Sequence, residues 1–420
     1  MVKTKIRLIV CLTVVFLATM FLWSGKTPFA AHETSEPDVS PPKISQPDEQ
    51  DPSGNPGDDN LIDEPEAPGD PASAEQPGNP GEADGVQPEN PAYTPVEVML
   101  ELPVEGATGW AGTAMPLYSD ANVESQVITD FEAGQVFVIK KELGDWWYVE
   151  SSEGKAGWVE HAGCLINLPD VIPSIAYNVT NAYSALTRSS GYEIPGVTGQ
   201  KLYDAWAYNP RLMRFEFIVP SLYSTSKLLY RAQQLALEAG DTIILHEAYR
   251  AHASQQRSVA LLMELMEENE EVNEAITTDP WSLNWFIATT ISNHQRGVAF
   301  DVSLGRVISH DIMQVGEMSF TRNITYEEYI MPTTIHELSP LAITFTEPVS
   351  SRSRDAWRSA PLSDTMTPGA ILLQNYFTEA GFTPLASEWW HFNDLDGVAA
   401  SSKIGIVGSF FISEILSFLP

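Results

Sequence analysis

The sequence predicts a small all-β barrel followed by a mixed α+β domain, both behind an N-terminal leader and an acidic spacer. Three observations carry this. A basic and then apolar N-terminus is followed by a polar tract, apolar content rises abruptly near Val96, and helical and strand periods alternate from about residue 168. A chain of 420 residues has room for more than one domain, and 43% hydrophobic content suffices for a sizeable core. The formal net charge of −33 argues against a nucleic-acid partner, because phosphate binding needs a basic footprint.

Lys3, Lys5 and Arg7 precede an apolar run from Leu8 to Trp23, and the next charge is Lys26. Residues 1–31 therefore read as a secretory signal peptide or an uncleaved signal anchor, and export to the extracytoplasmic cell surface is expected from either. The run is roughly 16 residues, slightly short of the ~20 needed to cross a bilayer. Residues 32–96 are dominated by Pro, Gly, Asp, Glu and Ser. Such a stretch buries too little apolar surface to offset its ordering entropy, and its like charges extend it. A disordered stalk is the functional reading; a linker with no task of its own is the bland one. Cys11 lies in the leader, so Cys164 is expected to be an ordinary buried residue, and any metal must be held by His and carboxylate.

Residues 97–167 carry short apolar runs: Val127-Ile128, Val136 to Ile139, Trp146 to Val149 and Ala156 to Val159. Gly144-Asp145 and Ser152 to Lys155 separate them as turns, which predicts a small barrel. The phrases Ala114 to Tyr118, Asp145 to Val149 and Gly157-Trp158-Val159 resemble a bacterial SH3-like domain, and that resemblance implies binding to cell-wall peptide. The bland reading of any one tryptophan is a core filler.

From residue 168 to 420, Leu228, Leu229, Ala232, Leu235 and Ala236 share one helix face that ends at Gly240. A buried strand, Thr242 to His246, follows, then a helix over about Ala253 to Asn269. Asp279-Pro280 predicts a helix start running through Trp281, Trp285 and Phe286, and Thr367-Pro368 predicts the last helix, ending at Gly381. The apolar tail Ile404 to Leu419 reads as a final core strand.

The chemistry concentrates in three segments. In Ser292 to Asp301, the strand after Gly297 alternates, with Ala299, Asp301 and Ser303 on one face. A mid-strand carboxylate is costly unless something charged meets it, and His294 on the entering loop can share a metal ion with Asp301. In Ser387 to Phe392, His391 can complete a three-ligand set that leaves a fourth position for water, and Glu388 can take that water's proton. In His246 to Arg250, the arginine is either an oxyanion stabiliser or half of a structural ion pair.

Taken together in this order, the segments resemble the VanX-like D-alanyl-D-alanine dipeptidases and the related zinc D,D-carboxypeptidases, over roughly residues 170 to 400. The family pattern is Tyr-Arg, then Ser-x-His with Gly and Asp, then Glu-x-Trp-His. The resemblance implies a mainly antiparallel sheet flanked by helices and one Zn2+ held by His294, Asp301 and His391. It also implies Glu388 as general base, Arg250 as transition-state stabiliser and Ser292 as a substrate contact. In one place the pattern fails: His336 stands where dipeptidases carry an Asp for the substrate's free ammonium, with Glu337 adjacent as a substitute. Gln255, five residues after Arg250, is more like the carboxypeptidase branch. The Glu388-Trp389-Trp390-His391 segment favours the dipeptidase, so the expected substrate is D-Ala-D-Ala, with a peptidoglycan stem peptide, which an exported enzyme meets more readily, as the alternative. A wall-binding protein without activity is the reading of another kind.

Overall fold

The computed structural model describes residues 100–179, 187–196, 205–315, 317–412 and 414–419. The leader at 1–31 and the spacer at 32–96 lie outside the described residues. Seven strands open the fold: β1 (Thr108–Ala111), β2 (Met115–Tyr118), β3 (Val127–Phe131), β4 (Val136–Leu143), β5 (Trp146–Ser151), β6 (Ala156–Glu160) and β7 (Cys164–Asn167). All pair antiparallel. Alternation decides which aromatics fill the core. On β5, Trp147 and Val149 are buried with Phe131, Phe137 and Val159, whereas Trp146 and Tyr148 stay half-exposed. Those two meet Tyr118 and Trp158 edge-on across the strands, with ring centroids 5.5 and 5.4 Å apart. Cys164 is buried with its thiol free, and burial pushes that thiol's pKa up.

The chain then forms α1 (Leu168–Val171), β8 (Ala176–Tyr177) and two small hairpins. These are β9 (Arg188–Ser189) with β10 (Tyr192–Glu193), and β11 (Trp206–Asn209) with β12 (Arg214–Phe217). Next, β13 (Pro220–Leu222) turns back to pair with β7, so the first sheet has the order β13-β7-β1-β4-β5-β6-β2-β3.

A second, mixed sheet follows. It is built from β14 (Asp241–Glu247), the long hairpin of β15 (Ala299–Val315) and β16 (Met318–Glu328), and the short β17 (Thr383–Pro384) and β18 (His391–Asn393). Its order is β17-β18-β15-β14-β8, with β16 also on β15; β14 and β8 run parallel and the other pairs antiparallel. Helix α2 (Tyr223–Glu238) buries Leu229, Ala232 and Ala236, the face its periodicity predicts. Those side chains share one core with Ile243 and Leu245 of β14 and with Phe300, Val302 and Leu304 of β15. Helix α3 (His252–Glu268) is followed by α4 (Glu270–Thr277).

Three elements differ from expectation. Asp279-Pro280 lies in a turn closed by the Trp281 N–H donating to Thr278 O at 2.9 Å, so the helix α5 is only Leu283–Phe286, entered through Ser282. Trp281, Trp285 and Phe286 are buried nonetheless. Helix α6 (Pro368–Ala380) starts and stops as predicted, with Thr367 Oγ1 accepting from Ala370 N–H and Gly381 in the left-handed region at φ 113°. It is not the last helix: α7 (Leu395–Ile404) follows, capped by Asp394 accepting from Gly397 N–H at 3.0 Å. The tail after α7 forms no strand among its described residues. Its carbonyls serve loops instead: Val407 O accepts from Gln295 Nε2 at 3.0 Å and Gly408 O from His252 N–H at 2.8 Å.

Glu101 sits under this arrangement, accepting from Ser174 N–H at 3.0 Å, from the Ser174 hydroxyl and from Gln234 Nε2 at 3.1 Å. Burial pushes its carboxyl up to about 7 against those bonds, which pull it down. A carboxyl raised on folding favours the fold while protonated. Its contribution is therefore full below about 4.5 and lost as pH rises through about 7. Glu101→Gln should lose less thermal stability than the parent between pH 4.5 and 8; parallel melting-temperature profiles would refute this.

Candidate metal centre

Three neighbouring strands bring their polar groups to one level. Asp301 of β15 stands opposite Glu247 of β14 on one side and opposite His391 of β18 on the other. Regular alternation would send Glu247 to the face of Ile243 and Leu245, into the apolar core. A bulge prevents this: Leu245 pairs with Val302, but Glu247 pairs with Asp301, so His246 is the extra residue. Glu247 thus joins the site, a role that sequence reasoning missed because a one-residue bulge leaves no mark in hydropathy. The displaced His246 reaches along the same face, Nε2 to Ser303 Oγ at 2.9 Å, and burial pushes its pKa down to about 3.

His294 is delivered by a tight 3-10 turn, Asn293–Arg296, entered through Ser292. Ser292 Oγ accepts from His294 N–H at 3.3 Å, and Gln295 Oε1 accepts from Ser292 N–H at 2.9 Å. The turn ends at Gly297, φ 68°, where a Cβ would stand 2.8 Å from Leu222 N. That close approach lets the Leu222 N–H donate to Gly297 O at 2.9 Å, pinning the turn to β13.

The outer nitrogens of the two imidazoles fix how the inner ones are presented. His294 Nδ1 lies 2.8 Å from Ala248 O, an acceptor only, so this nitrogen carries the proton. His391 Nε2 lies 3.1 Å from Asn393 Oδ1, which also accepts from Asn293 Nδ2 at 2.8 Å. When both rings are neutral, His294 Nε2 and His391 Nδ1 therefore face each other at 3.2 Å with lone pairs inward. Two lone pairs at this distance repel unless a cation lies between them. Asp301 closes the triangle, with Oδ1 2.9 Å from His391 Nδ1 and Oδ2 3.4 Å from His294 Nε2. Ligands at ~2.0–2.1 Å around a tetrahedral ion stand about 3.3 Å from one another, so the three donors fit a zinc-type ion and leave a fourth position. All three side chains are buried.

Glu388 is held by a braced loop. Ser387 Oγ donates to Trp285 O, the Trp389 N–H donates to Ala342 O at 3.0 Å, and both Trp389 and Trp390 are buried. Its Oε2 lies 3.8 Å from His391 Nδ1. Burial pushes the carboxyl up to about 8, opposed by His391 and Arg250 and reinforced by Asp301 and Glu247. Burial alone would raise Asp301 too, but His294, His336 and His391 hold it well below the usual carboxylate range.

Arg250 donates to both oxygens of Glu247 and to Gln255 Oε1, and its Nη2 stands 3.9 Å from Asp301 Oδ2. Burial works against its charge, yet Glu247 raises its pKa. Here the guanidinium is both an ion-pair partner and a neighbour of the cluster. His336 also reaches it, with Nε2 3.0 Å from Asp301 Oδ2 and 3.6 Å from Glu247 Oε2. Glu337 lies apart in its bonding: Oε1 accepts from Gly191 N–H at 3.0 Å, beside the β9–β10 hairpin. The structure thus brings His294, Asp301, His391, Glu388, Arg250 and His336 together, while Ser292 and Glu337 engage backbone N–H groups.

The family model of the bacterial SH3 domain matches residues 111–163. The match spans β2 to β6 of the first sheet, which β1, β7 and β13 complete. Domains of this family commonly bind cell wall, which suggests a cell-surface location. The family of the domain that follows is not identified by this match, and no curated protein matches the chain.

An ion that binds this cluster, supplied at a hundred times its dissociation constant, should stabilise the chain by about 2.7 kcal/mol, and Zn2+ is the probe. His294→Ala should weaken zinc binding by at least ~100-fold, beyond what outer partners contribute. Ser303→Ala, on the same strand face, should keep the parent affinity. Titration calorimetry reads both, and equal affinities for His294→Ala and the parent would remove His294 from the ligand set.

Proposed function

We propose that this chain is a zinc peptidase of the cell surface that hydrolyses the D-Ala-D-Ala bond at the end of cell-wall stem peptides. The observation that carries the reading is the triangle of inward-facing donors from His294, Asp301 and His391 with Glu388 beside it. Its order along the chain, Tyr-Arg, Ser-x-His with Gly and Asp, then Glu-x-x-His, supports the D-Ala-D-Ala assignment. The SH3 domain supports a working place at the wall.

A bound zinc ion would supply Lewis acidity at the scissile carbonyl and lower the pKa of water. Glu388 takes the proton of the attacking water and passes it to the departing amine. Burial favours its protonated form, which suits the delivery of that proton to the amine, and the positive charge of a bound ion would favour the carboxylate needed to take it up. Arg250 stabilises negative charge that develops on the carbonyl oxygen, with Glu247 and Gln255 fixing its direction.

Glu337 is occupied by Gly191 N–H and His336 by Asp301. An imidazole in place of a carboxylate is a poor partner for a free ammonium, which favours an acylated peptide and the D,D-carboxypeptidase branch. The dipeptidase reading, with free D-Ala-D-Ala as substrate, rests on the segment Glu388-Trp389-Trp390-His391.

The full zinc-loaded chain should hydrolyse an N-acylated peptide ending in D-Ala-D-Ala faster than the free dipeptide. The reverse preference would establish the dipeptidase, and no turnover of either would remove the assignment. Glu388→Gln should lose about 10²–10⁴-fold in kcat, the usual worth of a general base, while keeping zinc. Zinc lost together with activity would mean that Glu388 does more than move a proton.

A further inference from the structure

We propose that His336 is a positioning residue for Asp301: its Nε2–H holds one carboxylate oxygen and leaves the other to the ion. The inference rests on the metal reading above and assigns His336 a role other than the substrate contact expected from the sequence.

Three observations carry it. His336 Nε2 is 3.0 Å from Asp301 Oδ2, whereas Asp301 Oδ1 is turned to His391 at 2.9 Å. Oδ2 also lies 3.4 Å from His294 Nε2, so His336 is its nearer neighbour, while Oδ1 is the oxygen closest to the pair of imidazoles. Secondly, His336 has φ 60°. The other described non-glycine residues with positive φ, Ser190 and Met213, lie in the turns of the two small hairpins, where such a backbone is ordinary. His336 also lies in a turn but is buried, and buried non-glycine residues adopt this conformation where the surroundings impose it. Thirdly, the surroundings do impose it. The His336 carbonyl accepts from Arg188 N–H at 3.1 Å, and the Leu338 N–H donates to Arg188 O at 2.8 Å, clamping the loop to β9. The imidazole stands edge-on to Trp390, with centroids 6.0 Å apart and planes at 87°.

A rival role is available on the same coordinates, because Glu247, Asp301 and His336 together form a second group of possible ligands. Arg250 opposes it. The guanidinium already engages both Glu247 oxygens and stands 3.9 Å from Asp301 Oδ2, so a second ion there would meet an existing cation. The geometry fits one ion, with His336 donating to its carboxylate ligand from outside.

The test uses the full chain freed of metal and titrated with Zn2+ against a chromophoric chelator, with metal content counted per chain. His336→Asn suits the positive φ but is too short to reach Asp301, whereas the amide of His336→Gln has the reach to donate. The Asn variant should bind zinc about 10–100-fold more weakly, the usual cost of losing an outer partner, and the Gln variant should recover most of that loss. Melting curves of the metal-free variants establish that both are folded. Parent affinity in the Asn variant would overturn the proposal while leaving the metal site intact. Equal losses in Asn and Gln would overturn it by showing that the ring's packing matters and its donor does not. Two zinc ions per parent chain would overturn it by making His336 a ligand. A parent chain that takes up no zinc would remove the metal reading itself, and the proposal with it.

Discussion

A carboxylate buried near the start of a long strand is the constraint on which the second domain turns. An isolated ionised carboxylate in an apolar interior costs several kcal/mol even after relaxation, so Asp301 needs partners from every direction. They arrive by different routes. Glu247 and His391 come in register from the flanking strands, His294 from a capped turn, and His336 from a loop clamped to β9. Sheet hydrogen bonding sets two of these positions, so the spacing of the cluster is inherited from backbone geometry more than from loop conformation.

Charge in the pocket is unevenly settled. Glu247, Asp301 and Glu388 bring three carboxylates into a buried space, and Arg250 takes up Glu247. Asp301 is held ionised by the imidazoles, whereas Glu388 is driven towards its protonated form. A divalent ion between His294 and His391 would relieve this imbalance, because its charge is the largest any group in such a site can supply. The same divergence separates two carboxyls into two roles, one that stays charged and one able to carry a proton.

Much of this was legible because the relevant signals are local. The alternation after Gly297 placed Asp301 on a polar strand face, and the stripe of Leu229, Ala232 and Ala236 defined α2. Thr367 and Gly381 marked both ends of α6. What escaped depends on partners distant in sequence. Nothing near His246 announces a bulge, since the irregularity exists only against β15. The tail beyond Ile404 is as apolar as a strand, but its carbonyls are claimed by His252 and Gln295, which no local pattern records. Pro280 suits a helix start by its fixed φ, yet the turn to Thr278 takes its place.

The first sheet is finished by a strand that arrives late. Asn167 Oδ1 accepts from Val219 N–H at 3.0 Å, and Pro220–Leu222 then pairs along β7, where Leu165 and Ile166 are fully buried. During synthesis, β7 therefore emerges with one ladder side open and stays so until residue 222 has followed. An open, apolar edge invites pairing with other chains, so the interval between those two events is the period in which the nascent protein is most exposed to misassociation. The same strand bears Leu222, whose N–H holds Gly297. Closure of the first sheet thus sets in place, well before residue 297 is made, the N–H on which the turn that presents His294 is later seated.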